Sequence, residues 1–532
     1  MALPTPSLPI EADLSKADAA VASNIDLERE TEIDVGIMQR FGETQAEQVE
    51  LQATPGQMLT LTFAGNDGPI TLQTDRVVLH ADRQELPESQ LQERLVLGTF
   101  RSFESAEAQA ELWQSQGIPV ELAQPDTWQV WADRQVYTTP LLRRLLQAQL
   151  QQQGLTGIYL ATDIVKQSSR IYWSVNGYKY HRDRLTVTAS DAQIQVDGVL
   201  YPGSLQLQPN AYGTYTLVNV VDVEDYLRGV VPYEIGPSAP QAAVEAQAVL
   251  ARTYALRNLR RFAIDDYQLC ADTQCQVYRG LERPSQRADR AIRATEGLVL
   301  THAGELIDAV YSSTTGGVTA AFNDVWDGFT RPYLQPVVDT DQPIWDLTQK
   351  PLSSEANLRD FLKLESGFNE KGWRYFRWRV ESSLTSLNAD LREYLQSKQH
   401  PLAGFKTITS MQVEQRSPGG RVQQMTVGTD LGSVPLQKDE SLRAFLAPNS
   451  TLFYLERLQA PQTAGLKGYA FVGGGLGHGV GLSQTGSYHL AEQGWSSADI
   501  LEFYYPNTRL EPLHADLIFW QAKREGHSEQ HN

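Results

Sequence analysis

The chain has 532 residues, a formal net charge of −19 and a pI near 5.0, with 41% hydrophobic and 20% charged residues. The acidic balance argues against a nucleic-acid backbone or an anionic membrane as the main partner, because both are negatively charged. It leaves a glycan open as a partner, and the length predicts about three or four domains rather than one core.

The N-terminal segment, residues 1–30, predicts a disordered leader. It contains neither the basic segment nor the apolar segment of an export signal. No run of about 18 apolar residues occurs in the sequence, so no integral membrane segment is predicted.

Residues 31–90 predict a small β-rich region, because short alternating apolar runs are separated by a Gly-Asn-Asp-Gly turn signal. Residues 91–165 predict strands at 95–100, 119–122, 128–131 and 158–160 and helices at 105–116 and 139–152. This order, βαββαβ, is that of a small ferredoxin-like domain.

The βαββαβ unit resembles a SPOR domain, the module that binds peptidoglycan glycan strands lacking stem peptides. The resemblance rests on Leu97-Gly98-Thr99-Phe100, on Ala106 and Ala110, and on Trp128, Val130 and Trp131. The alternative is a generic α/β domain without a ligand, since this fold hosts many functions.

Residues 166–515 predict a β-rich core with a charged, mostly helical insertion at 345–410, and residues 516–532 predict a C-terminal tail. The predicted fold class is therefore α+β with several domains, and no internal repeat is evident.

Glu234 stands in a predicted loop before a long Ala-rich helix that has Ser238 as N-cap and runs to about Arg261. A carboxylate near a helix N-terminus is favoured in its charged form by roughly 0.3 to 1 kcal/mol. Burial among the neighbouring apolar residues opposes this, since desolvation raises a carboxyl pKa by up to about 3 to 5 units. Glu234 is thus either a surface residue at a helix end or a buried general acid.

The chain has two cysteines, Cys270 and Cys275. Their spacing allows a short disulfide, two free thiols or half of a metal site. No histidine lies between His181 and His302, so a third zinc ligand would have to come from a distant segment.

Four segments together resemble the SpoIID/LytB family, over roughly residues 201–513. They are the Glu234 segment with the helix after it, Cys270 to Tyr278, Tyr311 to Gly317, and the glycine-rich Gly473 to Gly486. The resemblance implies a β-rich catalytic core with a helix behind the catalytic loop. It implies a lytic transglycosylase that cleaves peptide-stripped peptidoglycan between MurNAc and GlcNAc, leaving 1,6-anhydroMurNAc ends.

The resemblance implies that Glu234 is the single catalytic acid and base. It implies substrate-binding positions at Arg252, Gln247, Gln276, Tyr278, Ser313, Gly316, Gly317, His478, Ser483, Gln484 and Tyr504. Alternatives stay open: a solvated Arg252, a packing role for Gln247, and a loop-fixing role for His478. Trp326 and Trp378 are interpreted as core residues.

Two positions depart from the family pattern. Glu245 stands where many relatives carry a lysine, which removes a positive charge from the expected cleft. The histidine that binds zinc upstream of the cysteines in some relatives is replaced by a stretch containing Asp265 and Asp266. No cofactor is required by the expected reaction, and zinc at Cys270 and Cys275 is the alternative.

The rival function is a non-catalytic amidase enhancer that binds denuded glycan and stimulates an N-acetylmuramoyl-L-alanine amidase. A third is a structural wall-binding protein. The expected partners are peptidoglycan glycan strands and such an amidase, and the family implies the periplasm or cell wall as location.

Overall fold

The structure is a computed structural model that describes residues 32–460 and 463–521. The predicted leader and the last residues of the predicted tail lie outside these ranges. Strands β1 to β14 are Glu32–Phe41, Glu47–Ala53, Leu59–Gly65, Gly68–Thr74, Arg76–Phe100, Val120–Ala123, Trp128–Ala132, Tyr159–Val175, Tyr178–His181, Leu185–Ala189, Gln193–Val196, Val199–Pro202, Ser204–Pro209 and Tyr215–Asp222.

Strands β15 to β26 are Leu269–Cys270, Leu298–His302, Glu305–Leu306, Tyr311–Ser312, Trp378–Ser383, Ile408–Arg416, Val422–Thr429, Gly432–Gln437, Phe453–Ala460, Thr463–Gly473, Leu482–Ser483 and Arg509–Pro512. Helices α1 to α10 are Phe103–Ser115, Pro140–Gln152, Val223–Glu234, Gln241–Arg257, Gln286–Ala294, Glu355–Lys363, Leu384–Ser397, Glu440–Ala444, Gln484–Glu492 and Ser497–Tyr504. The mixture of helices and separate sheets confirms the α+β, multidomain prediction.

The N-terminal strands join the sheets of the main body. A seven-stranded sheet has the order β15-β1-β14-β13-β10-β3-β4, so β1 lies between strands that come from beyond residue 200. A second sheet has the order β12-β11-β2-β5-β7-β6, with β8 pairing β5. The β-rich region predicted at 31–90 is therefore not a separate unit, and its predicted boundaries at 90 and 165 fall inside β5 and β8.

The predicted βαββαβ elements are present between the end of β5 and the start of β8, with strand order β6-β7-β5-β8. Helix α1 begins where the Ser102 hydroxyl accepts a hydrogen bond from Ser105 N, and α2 begins with Pro140 after the N-cap Thr139. We call residues 95–160 the inserted unit, because the strands on either side of it belong to the main body.

Helix α3 corrects the prediction of a loop around Glu234. Its N-cap Asp222 accepts hydrogen bonds from the backbone of residues 224 and 225, and the helix ends at Glu234. Gly229 and Pro232 weaken the sequence signal for this helix, because both residue types disfavour helix interiors. The structure requires a glycine here, since a Cβ at Gly229 would lie 2.5 Å from the Tyr278 ring and 2.6 Å from the Gly280 carbonyl.

Helix α4 begins later and ends earlier than the sequence predicts. Its N-cap is Pro240 rather than Ser238, and its last residue is Arg257 rather than Arg261. Nearly every side chain from residue 243 onward is buried, so α4 is a central helix without a solvent face. It packs against α3, α5, α9 and α10.

The predicted insertion at 345–410 is a mixed region rather than a mostly helical one. Its elements are α6, α7, β19 and the start of β20, and β19 joins the sheet of order β19-β24-β23. Within the described ranges, no helix combines the length and the apolar character needed to cross a membrane.

Candidate active site

A cavity of about 320 Å³ lies where the C-terminal end of α3 meets the loop after β15, strand β18 and the glycine-rich segment after β24. Residues of the inserted unit form its remaining wall. Its lining residues are Arg101, Ser102, Phe103, Glu104, Trp128, Glu234, Tyr254, Arg261, Thr273, Gln274, Cys275, Val277, Val310, Tyr311, Trp326 and His478.

Glu234 brings a half-buried carboxyl to this cavity. Its Oε1 accepts a hydrogen bond of 2.8 Å from Val277 N. Burial raises the pKa of Glu234 above its usual value, and the bonds from Val277 N and the Tyr311 hydroxyl oppose this rise only in part. The carboxyl belongs to the last residue of α3, where the helix dipole disfavours negative charge, whereas the sequence had suggested a helix N-terminus with the opposite effect.

A chain of hydrogen bonds behind Glu234 fits its protonated form. Gln276 Nε2 donates to the Ala251 carbonyl at 3.2 Å, which leaves Gln276 Oε1 to accept from the Tyr311 hydroxyl at 3.0 Å. The Tyr311 hydroxyl is also in hydrogen-bond contact with the Glu234 carboxyl. While the Tyr311 proton points to Gln276, the Tyr311 oxygen accepts from a protonated Glu234; when that proton turns to Glu234, it stabilises the carboxylate instead.

His478 lines the cavity but has its ring nitrogens engaged with main chain. Its Nδ1 accepts from Val480 N at 3.0 Å, and the ring also bonds the Tyr311 backbone. Burial and the nearby Arg421 charge lower its pKa to about 4, so the imidazole is neutral at pH 7. These contacts agree with the alternative that His478 fixes its loop by bonding main chain.

Four of the predicted site residues lie behind the cavity, around two buried carboxyl groups. Glu370 accepts from Gly316 N at 2.8 Å, Gly317 N at 2.9 Å and the Ser483 hydroxyl at 2.5 Å. Tyr504 donates to Asp339 Oδ1 at 2.7 Å. The φ of +78° at Gly316 and the close approach of Gly474 explain the glycine there.

Arg252 does not reach the cavity. It is fully buried and donates to the Glu224 carboxylate from Nε at 2.7 Å and from Nη2 at 2.6 Å, while Nη1 donates to the Leu298 carbonyl. The predicted roles of orienting Glu234 or binding a substrate carboxylate are not compatible with these contacts, and neither is a solvated Arg252. A helical-face argument failed here because α4 is buried on every side.

Gln247, Tyr278 and Gln484 support the site without lining it. Gln484 Nε2 donates to the Glu234 carbonyl at 2.7 Å and to Gln247 Oε1 at 3.2 Å. Gln247 is 0% exposed, in accord with the packing alternative, and Tyr278 is buried with its hydroxyl donating to Asn219. Ser313 is exposed at the surface, two residues after Tyr311.

Cys270 and Cys275 form a disulfide. A disulfide offers no thiolate to a metal, and the described residues contain no group of three or more His, Cys, Asp or Glu side chains that could hold one. The residues present therefore do not fit a zinc site. Cys275 lies on the cavity wall, so the disulfide fixes the loop that leads to Val277.

Glu245 does not face the cavity either. Its carboxylate accepts from Gln241 Nε2 at 3.2 Å and from the Ser497 hydroxyl at 3.3 Å. Ser497 is the first residue of α10, where the helix dipole favours a negative charge. The expected effect of Glu245 on the cleft charge is therefore absent, because this side chain points toward α10.

Sequence reasoning missed most of the cavity wall. Tyr311 and Val277 stand in or beside segments that carry the family resemblance, but no pattern showed that they contact Glu234. Trp326 was interpreted as a core residue, yet it is half-buried on the cavity wall with its ring 5.1 Å from that of His478. These residues converge only through tertiary contacts.

Ion pairs attach the inserted unit to the main body around the cavity. Arg101 bonds Asp439 at 2.5 Å and Glu440 at 2.8 Å. Arg260 bonds both carboxylate oxygens of Glu107, and Arg261 bonds Glu104.

Most of the residues that carry the SPOR resemblance of the inserted unit are packing residues, although Thr99 is exposed. Trp128, Val130 and Trp131 are each at most 2% exposed. Val130 and Trp131 are therefore unavailable to a glycan, whereas Trp128 borders the cavity. A glycan-binding role for this unit stays a prediction.

Comparison with known proteins places the cavity glutamate and the disulfide in a recognised segment. Residues 211–302 match the family model described as Stage II sporulation protein, and residues 320–481 match a domain of unknown function, DUF8618. The chain is 30% identical over 297 residues to the amidase enhancer of Bacillus subtilis (strain 168), across 53% of this chain and 40% of that protein.

The chain also resembles two proteins named stage II sporulation protein D. It is 26% identical over 328 residues to that of Bacillus amyloliquefaciens, across 58% of this chain and 79% of that protein. It is 24% identical over 340 residues to that of Bacillus subtilis (strain 168), across 60% and 84%. The chain is thus similar to the SpoIID/LytB family in its central segment, and it spans less than half the length of the amidase enhancer.

Proposed function

We propose that this protein is a lytic transglycosylase acting on peptidoglycan. Its substrate is the β-1,4 bond between MurNAc and GlcNAc in peptide-stripped glycan strands, and its location is the periplasm or cell wall. The similarity to the Stage II sporulation protein family and to an amidase enhancer supports a role in peptidoglycan processing. The observation that carries the proposal is Glu234, a half-buried carboxyl in a cavity, with a raised pKa and hydrogen bonds that fit its protonated form.

The proposed reaction uses Glu234 twice. The protonated carboxyl donates its proton to the glycosidic oxygen, and the bond from that oxygen to C1 of MurNAc breaks. The C6 hydroxyl of the same MurNAc attacks C1 and closes the 1,6-anhydro ring. Glu234, now a carboxylate, accepts the proton of that hydroxyl and returns to its starting state, so neither water nor a cofactor is consumed.

The carboxylates of the cavity favour this reaction over hydrolysis. A glycoside hydrolase generally needs two acidic groups, one for the leaving oxygen and one as nucleophile or as base for water. Among the lining residues the other carboxylate is Glu104, which is bonded to the buried Arg261. A single available carboxyl suits a reaction whose nucleophile comes from the substrate.

The test is incubation of the protein and its Glu234→Gln variant with peptide-free glycan strands, followed by mass spectrometry of the products. We expect 1,6-anhydro-muramoyl ends from the wild type and none from Glu234→Gln. Glu245→Gln is the matched control, because it removes a carboxylate of the neighbouring helix outside the cavity, and it should keep activity. Absence of anhydro ends with the wild type would refute the enzyme, and activity of Glu234→Gln would remove that residue from its role.

The match to an amidase enhancer favours a second candidate function. In it, the protein binds denuded glycan without cleaving it and stimulates an N-acetylmuramoyl-L-alanine amidase. Adding wild type or Glu234→Gln to an amidase assay separates the two. An enhancer stimulates the amidase equally in both forms and produces no anhydro ends.

A further inference from the structure

A turn of four exposed residues, Lys371, Gly372, Trp373 and Arg374, stands on the surface of the segment that matches the domain of unknown function. We call it the basic turn. The side chains of Lys371 and Arg374 form no ion pair with any described residue. Trp373 is 44% exposed, which is unusual for so large an apolar side chain.

The basic turn is held by the framework that supports the cavity. Trp373 N donates to the Glu370 carbonyl at 3.2 Å, and the Trp373 carbonyl accepts from Phe376 N at 3.1 Å. The Glu370 side chain is fixed by the backbone of Gly316 and Gly317. The turn therefore presents its side chains from a defined position, as a binding site requires.

Two independent contacts place the basic turn beside the cavity. The Trp373 ring packs edge-on against Tyr488 at 5.6 Å, and the Tyr488 hydroxyl accepts from Gly236 N at 3.0 Å, two residues after Glu234. On the other side, the Tyr375 carbonyl accepts from Gly475 N at 2.8 Å, three residues before His478. The basic turn is thus joined to the chain segments next to Glu234 and next to His478, and it lies outside the cavity lining.

We propose that the basic turn is a glycan subsite for strands that carry free lactyl carboxylates. An exposed aromatic ring suits stacking on a sugar face, and the two cations suit the carboxylate of each peptide-stripped MurNAc. Two exposed cations without ion pairs to described residues are notable on a chain whose net charge is −19, because they offer local charge complementarity to an anionic polymer. This inference rests on the proposed glycan substrate and extends it to a segment of unknown function.

Binding is measured by calorimetry with peptide-free glycan strands and, separately, with uncharged GlcNAc oligomers. All proteins carry Glu234→Gln, so that no strand is cleaved. Trp373→Ala should weaken binding of both polymers about tenfold. Trp373→Phe keeps an aromatic ring and should bind more tightly than Trp373→Ala but less tightly than the parent. The double variant Lys371→Gln/Arg374→Gln should weaken binding of the peptide-free glycan strands, which carry lactyl carboxylates, about fivefold at low salt. The effect should be smaller at high salt.

Two controls match these changes in chemistry. Tyr178→Ala removes an aromatic ring that is 70% exposed elsewhere, and Lys398→Gln with Arg290→Gln removes two exposed charges that form no ion pair with described residues. Both should bind like the parent. Unchanged melting temperatures would show that the basic-turn variants remain folded.

The outcomes separate this inference from the function on which it rests. If the parent binds strands and the Trp373 and charge variants bind equally well, the subsite is refuted while the proposed function stands. If the parent binds no glycan, the proposed function fails first. If the charge variants weaken uncharged oligomers as much as muramic strands, the assignment of the cations to lactyl carboxylates is wrong.

Discussion

Replacing Gln276 by methionine tests the hydrogen-bond chain that connects this residue to Glu234. Gln276 is 1% exposed, and its Oε1 accepts the Tyr311 hydroxyl proton. Methionine has a similar volume and provides no comparable acceptor. In the variant, Tyr311 can turn its proton toward Glu234 without leaving a buried acceptor unpaired.

The expected shift has one direction. In the wild type, the Tyr311 hydroxyl can donate a hydrogen bond to a charged Glu234 only by giving up its hydrogen bond to Gln276 Oε1. A protonated Glu234 donates to Tyr311 instead, so the bond to Gln276 is kept. Removing this competition stabilises only the charged form, by about one hydrogen bond or 0.5 to 1.5 kcal/mol. Since one pKa unit equals about 1.4 kcal/mol, we expect the pKa of Glu234 to fall by about 0.4 to 1.1 units.

Two measurements check the shift. Carbon NMR of labelled glutamate carboxyls reports the pKa of Glu234 directly, with Glu234→Gln identifying its resonance. If the protein cleaves glycan, the basic limb of the pH profile of kcat/KM should move to lower pH by the same amount, because the acid must be protonated to act.

Tyr226→Phe is the matched control for Gln276→Met. It removes the hydroxyl that accepts from Gln276 Nε2 at 3.3 Å but leaves Oε1 and its contact with Tyr311 in place. Its Glu234 pKa should match the wild type. A rise or no change of the pKa in Gln276→Met would show that Tyr311 already donates to Glu234, and the proposed proton arrangement would be wrong.

Two further predictions concern stability. Burial and a neighbouring carboxyl hold the pKa of Asp339 well above its usual range, so its contribution to stability is present at low pH and is lost as pH rises through the folded-state pKa. Asp339→Asn stays neutral, so its urea midpoint should gain on that of the wild type as pH rises above the ordinary pKa of an aspartate, about 4, and parallel midpoints would contradict this. Glu224→Gln leaves the buried Arg252 charge without its carboxylate and should cost about 3 to 5 kcal/mol in urea unfolding. A cost below about 1 kcal/mol would show that the pair is effectively solvated.

The sequence by itself determined the resemblance to the SpoIID/LytB family, the candidate acid Glu234, and the elements of the inserted unit. These are local properties. Motifs such as the cysteine pair and the glycine-rich segment are contiguous, and the βαββαβ order follows from short periodic runs between turn signals.

Only the tertiary structure decided what surrounds Glu234. Glu234 ends a helix whose interior contains Gly229, a residue that helix propensity alone disfavours there. The glycine is required because it packs directly against the Tyr278 ring. The pairing of Arg252 with Glu224 and the contact of Tyr311 with Glu234 join residues that are far apart in the chain. Periodicity reports which face of an element is apolar, but the partner across that face is set by long-range packing.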